Sequence, residues 1–217
     1  MTENSIGARD VREAVDLAIA TLRTATDRDW HTPAAGLIWS CWETIEHMAD
    51  DLFAYATQLT PRNPPRATYV PFGWRHHRDG GPALTVYAED GASREGLIQV
   101  LDSAAGLLVA VVEVVPADRV AYHPYGASDP SGFAAMGVVE TLAHMHDVAR
   151  ALDLEWAPPE DLCDRALRRL FRDAPTDTGR WPTLLWATGR GDLPGRDRRP
   201  SDWRWDGAPL SKDEAAT

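Results

Sequence analysis

Cysteine is scarce in this 217-residue chain: Cys41 and Cys163 are the only two, and they lie far apart. That spacing excludes a disulfide framework and a zinc-finger pattern. Cys41 falls on the apolar side of a helical pattern and Cys163 lies beside Leu162. Both read as ordinary buried thiols, because free cysteine behaves as a small hydrophobe. Long hydrophobic runs are missing too. The longest, Ala104 to Val112, is too short to span a membrane, and the opening stretch lacks the apolar centre of a secretory signal. Nor is there an excess of positive charge. The formal net charge is −11, which argues against nucleic acid and against an anionic membrane surface as partners. Arginines do gather late, at Arg165, Arg168, Arg169 and Arg172 and again from Arg190 to Arg199, where a local anion contact is open. No internal repeat or low-complexity tract occurs. What remains is ordinary globular composition, 44% hydrophobic and 25% charged, and the expectation is a cytoplasmic protein.

Helical periodicity dominates what is there. Val11, Val15, Ala18, Ile19 and Leu22 recur three and four apart and predict a first helix over Asp10 to Thr24. A second runs from Gly36 to Leu59, where Thr60 to Pro65 stops it. Residues 60–93 are rich in proline and glycine and predict an extended connection, with short strands near Thr68–Phe72 and Ala83–Tyr87. Ser93 starts a third helix that ends before Pro116, and Ser131 is expected to cap a fourth that reaches Leu152. Pro158 and Pro159 open a fifth to about Phe171, and Pro182 to Thr188 gives a short sixth. Trp203 and Trp205 suggest that the tail folds back onto the body. The expected architecture is all-α: a four-helix bundle with long crossovers over residues 1–155, and a small helical extension over 156–217 packed upon it.

Within the fourth helix, Glu140 and His144 stand one turn apart in an apolar run. On a helical wheel His144 lies about 40° from Glu140, and Asp147 about 20° to the other side. Phe133, Met136 and Ala151 share that core-facing sector. A carboxylate there is costly unless a cation or a strong donor pairs with it. Glu and His at this spacing on an inward face are a common way for helices to hold a divalent metal. The same pair also occurs on solvated faces, where it contributes only tenths of a kcal/mol. Asp147 could orient His144, whereas His146, beside Arg150, reads as exposed. A third ligand would come from His31, His47, His76, His77 or His123. Only His47 sits in mid-helix, but the apolar stripe Ile38, Cys41, Ile45, Met48 and Leu52 centres about 140° away, so the wheel turns His47 towards solvent. His76, His77 and His123 read as turn or surface residues. Of the nine tryptophans, Trp39, Trp42 and Trp186 read as core.

Three segments carry a resemblance. Trp39 to Leu52, with His47 in mid-helix, resembles the second-helix motif of the DinB/YfiT-like superfamily. Glu140-x-x-x-His144-x-x-Asp147 resembles the motif of its mycothiol-dependent maleylpyruvate isomerase branch. Leu184 to Asp192, containing Arg190, resembles the closing segment of actinobacterial members of the superfamily. The likeness covers about Val11 to Arg190, and residues 60–93 have no counterpart in it. It implies His47, Glu140 and His144 as the three ligands of a divalent metal, with zinc preferred, and mycothiol as cosubstrate. A His₂Glu set leaves a coordination position open, where a metal-activated thiol could attack a small electrophile. Asp147 is then an orienting residue for catalysis and Arg190 a contact for a substrate carboxylate. Such an enzyme would be an isomerase or S-transferase, and a homodimer is compatible with it. Two alternatives stand beside it: a hydrolase or natural-product tailoring enzyme using metal-bound water, and a non-catalytic metal- or ligand-binding bundle.

Overall fold

The computed structural model describes residues 5–210, and four long helices supply most of the core. They are α1 (Ala8–Leu22), α2 (Cys41–Leu59), α3 (Arg94–Val114) and α4 (Pro130–Leu152); β1 (Arg75–His76) and β2 (Ala83–Leu84) form a small antiparallel ribbon between α2 and α3. Two shorter helices, α5 (Glu160–Leu170) and α6 (Arg180–Ala187), follow. The described residues are thus mostly helical, as expected. The outer ends of the two expected units, residues 1–4 and 211–217, lie outside the described residues.

Caps set the boundaries. Ser40 and Glu43 form a reciprocal pair in which the Glu43 amide donates to Ser40 Oγ at 3.1 Å and the Ser40 amide to Glu43 Oε2 at 2.8 Å. The second helix therefore starts at Cys41, not at Gly36, which sits in the left-handed region at φ +80° in the preceding turn. Likewise, α4 is capped by Asp129 and not by Ser131. The Asp129 carboxylate accepts the Gly132 amide at 2.8 Å, Pro130 opens the first turn, and the Ser131 hydroxyl donates back to Asp129. Ser93 caps α3 as read.

Helices α1 and α2 both pack on α3 and α4, while α5 packs on α4 and α6 on α5. Eighteen of the 23 residues of α4 are buried, so any polar group on it needs a partner inside the protein. A Cβ at Gly137 would lie 2.9 Å from Leu108 Cδ2 and 3.0 Å from Leu52 Cδ2, so the absent side chain lets α4 settle against α2 and α3. Helix α3 corrects one expectation. Although no long unbroken apolar run occurs, its best 18-residue window has a mean hydropathy of 1.9, apolar and long enough to cross a membrane by that measure. Its inner face packs on α1 and α2, and 39% of that window is buried.

The connection from 60 to 93 lies along α2. Asp50 accepts the Thr85 and Val86 amides at 2.8 and 2.7 Å, Glu46 accepts Ala88 at 3.1 Å, and Glu43 pairs with Arg78 at 2.6 Å. The expected strand at 68–72 does not form, because the Gln58 side chain takes up the backbone at Thr68 and Val70 instead of a ladder partner. The strand partner of Ala83–Leu84 is Arg75–His76.

Arginines staple the C-terminal part to the body. Arg165 meets Asp10 at 2.7 Å and Arg169 meets Asp129 at 3.0 Å, while within the C-terminal part Arg199 meets Asp173 at 2.8 Å. Side chains that the sequence left open for an anion are thereby engaged with carboxylates of the chain itself. The tail returns as expected: Ser128 Oγ donates to the Gly207 carbonyl at 2.5 Å, and Trp205 is buried. Both cysteines are buried, and desolvation raises the Cys41 thiol to about 11 and Cys163 to about 12.

Candidate metal centre

Helices α2 and α4 face each other across a polar pocket in the core. From α4, Glu140 Oε2 lies 3.1 Å from His144 Nε2, both projecting from the same side one turn apart. From α2, His47 Nε2 lies 3.3 Å from Asp51 Oδ2, again one turn apart. The two imidazoles meet edge to face with ring centroids 5.1 Å apart. His47, Asp51 and His144 each bring one donor atom within 4.8 Å of the other two. Trp39 packs its ring edge-on to His47 at 4.8 Å and is held by its indole N–H, which donates to the Gly80 carbonyl at 3.1 Å.

The opposite edge of His144 is turned to a second pair. Its Nδ1 lies 3.6 Å from Asp147 Oδ2 and 3.5 Å from Arg190 Nη2. Arg190 grips Asp147 through Nε at 3.0 Å and Nη2 at 2.8 Å. Asp147 and Arg190 together thus set the angle of the ring, the outer support that metal-binding histidines commonly have.

Electrostatics shows what the pocket lacks. Burial alone would raise the Glu140 carboxyl, but contact with His144 and the nearby charges of His144, His47 and Arg190 prevail and bring it down to about 2. For His144, burial opposes the charged form, yet Asp147 and Glu140 outweigh it and raise the imidazole above its usual value. His47 goes the other way, to about 4, because it is desolvated and faces His144. Desolvation, then repulsion from Glu140 and Asp50, pushes Asp51 well above the ordinary carboxylate range. Of the four groups, Asp51 is thus the one whose charge the pocket leaves uncompensated. Two buried atoms of the group, His47 Nδ1 and Asp51 Oδ2, have no hydrogen-bond partner. Orphaned polar atoms of this kind are costly. The donor set, its burial and its orphaned atoms fit a divalent cation.

Beside this group lies a cavity of about 190 Å³. His47, Glu140, His144 and Arg190 form its polar side, and Tyr125, Val139, Ala143, Trp203 and Trp205 its apolar side, with Thr188 at the edge. Val139 and Ala143 are on α4, one residue from each proposed ligand, while Trp203 and Trp205 come from the returning tail.

Residues singled out from sequence are partly reunited. His47, Glu140 and His144 line one cavity, and Asp147 and Arg190 form one ion pair beside His144. The wheel's placement of His47 towards solvent is corrected: its side chain is only 22% exposed, since the 60–93 connection covers the neighbouring face of α2 and Trp39 covers the ring. Trp39 is half-buried and belongs to the site's surroundings more than to the core. His123 is buried among Tyr55, Phe133 and Trp205, and is not a surface residue. His146 is half-buried against Trp181. His31 is exposed and stacks on Trp42, and His76 and His77 are exposed in the ribbon region, away from the pocket. Asp51 was not chosen from sequence, although His47-x-x-x-Asp51 repeats on α2 the spacing of Glu140-x-x-x-His144. No protein-family model, curated protein or solved structure matches this chain.

Proposed function

We propose that His47, Glu140 and His144 hold a divalent metal, zinc foremost, and that the chain is a metal-dependent thiol enzyme of the isomerase or S-transferase type. In this reading α1 to α4 are a DinB-like four-helix bundle, residues 156–217 are its helical extension, and a low-molecular-weight thiol such as mycothiol is the cosubstrate. The observation that carries it is the meeting of the His47, Asp51 and His144 donor atoms within 4.8 Å of one another, two of the buried atoms there orphaned, beside a cavity that His47, Glu140 and His144 line. A bound divalent metal would lower the pKa of a coordinated thiol or water and supply a nucleophile at neutral pH.

The protein's own groups do the remaining work. Asp147 keeps His144 Nδ1 engaged, so that Nε2 is turned towards Glu140 and the pocket. Arg190 holds Asp147 and also lines the cavity, where its guanidinium offers a fixed positive charge to a substrate carboxylate. Trp203 and Trp205 make one side of the cavity apolar, with Tyr125 at its exposed rim.

One observation favours a second reading. At about 190 Å³ the cavity is smaller than the roughly 300–1,000 Å³ usual for ligand sites, and small for a sugar-bearing thiol together with an electrophile. A hydrolase or tailoring enzyme that uses water in place of the thiol would need less room. The test is metal analysis of the purified protein, followed by turnover of small electrophiles with and without mycothiol. Thiol consumption that disappears on chelation and returns with metal supports the first reading. Metal-dependent turnover without thiol supports the second, and metal binding without turnover of either kind leaves a ligand-binding bundle.

A further inference from the structure

Every other buried carboxylate near the core has an evident partner. Asp10 holds Arg165, Asp129 holds Arg169, Asp147 holds Arg190, and Glu46 and Asp50 accept backbone amides. Asp51 stands apart. Among the described residues its Oδ2 is the one carboxylate oxygen buried without a hydrogen-bond partner. His47 Nε2 stands 3.3 Å from it, close but without hydrogen-bond geometry. That separation has a second meaning. Two atoms bound to the same divalent ion at about 2.0–2.2 Å stand roughly 3.0–3.5 Å apart, whether the sphere is tetrahedral or octahedral. The Glu140–His144 pair shows the same spacing, 3.1 Å. Each of the two facing helices thus presents one imidazole and one carboxylate, a turn apart and at ligand-to-ligand distance.

We propose that Asp51 is a fourth ligand, making the centre a His₂–Glu–Asp site divided equally between α2 and α4. This rests on the metal reading above and extends it. Two carboxylates neutralise a divalent ion, which removes the cost of leaving either charge buried and unmatched. An N₂O₂ donor set is also harder than His₂Glu, and so raises the standing of Mn and Fe relative to Zn. With four protein donors, substrate enters only by expansion to a fifth or sixth position, which those metals accept more readily than tetrahedral zinc.

The experiment is titration of the chelator-stripped full-length chain with Co(II), followed by its visible d–d absorption, and with Zn(II) by calorimetry. Three proteins are compared: wild type, Asp51→Asn and Asp50→Asn. The Asp50 variant removes the same charge one residue away, from a side chain that caps the Thr85 and Val86 amides. If Asp51 is a ligand, D51N binds Co(II) at least about 10- to 100-fold more weakly and changes the band shape, while D50N stays within about threefold with an unchanged spectrum. Wild-type affinity and spectrum in D51N overturn the fourth-ligand assignment and leave the metal site standing. Failure of the wild type to bind either ion overturns the metal reading itself and this inference with it. Should D51N fail to fold by circular dichroism, Asp51→Glu decides the question: a carboxylate one carbon longer shifts the Co(II) band if that oxygen is coordinated, and leaves it in place if not.

Discussion

Arg190 and Asp147 form a buried pair whose members depend on one another. The Asp147 side chain is 7% exposed, and Arg190 supplies its strong contacts. Removing the cation leaves a carboxylate out of reach of water, a change that costs far more than the pair contributes. Arg190→Ala is therefore expected to lower the stability of the metal-free protein by on the order of 3 kcal/mol in urea unfolding. A loss below about 1 kcal/mol would mean that water reaches Asp147 after all. His123 offers a pH test at a residue outside the candidate ligand set. Burial depresses its imidazole to about 4, whereas in the unfolded chain it protonates near its ordinary value of 6.5. Between those two values the unfolded state binds the extra proton, so stability falls as pH drops from 6.5 towards 4. His123→Gln should flatten that part of the stability–pH profile, by up to roughly 3 kcal/mol at the acid end. Equal slopes for the two proteins would show that the imidazole is solvated.

Among the elements, α4 carries most of the design, and its first turn joins three parts of the chain. Asp129 caps the helix and holds Arg169 of α5, while Ser128 holds the Gly207 carbonyl of the tail. Gly132 leaves the room for this cluster, because a Cβ there would overlap the Ser128 hydroxyl and come within 2.5 Å of Arg169 Nη2. Alanine gains about 1 kcal/mol of helix propensity over glycine. Here Gly132→Ala should nevertheless destabilise, by about 1–3 kcal/mol net, since Arg169 must leave its carboxylate. Asp129→Ala should cost more than Ser131→Ala, as only the former uncaps the helix and strands a buried guanidinium. Thermal melts of the three variants check both orders. The cap also shows where sequence reading slipped. Ser131 and Asp129 are both good capping types two residues apart, and the choice between them was made by Pro130, which fits the first helical position. At α2 the same kind of error had the opposite origin: the apolar residues before Cys41 fit the helical period but lie in a turn.

At the scale of the whole molecule, a cation held between α2 and α4 as proposed would couple binding to folding. A cation that binds only the folded state at 100 times its dissociation constant adds about 2.7 kcal/mol. For a chain of this size that raises the melting temperature by roughly 5–10 °C. The rise should vanish with chelator, and Glu140→Ala or His144→Ala should abolish it. A melting temperature indifferent to Zn, Mn, Co and chelator would remove the basis for a metal centre. The C-terminal tail is part of the same unit, because Trp203 and Trp205 wall the cavity whose polar side comes from α2, α4 and Arg190.

Local pattern was enough to mark Glu140 and His144 as a pair on an inward face, since one turn of one helix fixes their relation. It also gave the four long helices and the two buried thiols, which follow from periodicity along short stretches. His47 was named through resemblance, against the wheel, and Asp51 was passed over. Both depend on what lies beside α2 in space, and the covering connection from 60 to 93 and the facing α4 are distant in sequence. The burial of His123 and the pairing of Asp147 with Arg190 have the same character. A side chain's period is written into its own segment, whereas its solvent exposure and partner charges are set by whichever other segment packs against it, and that is decided only when the chain closes on itself.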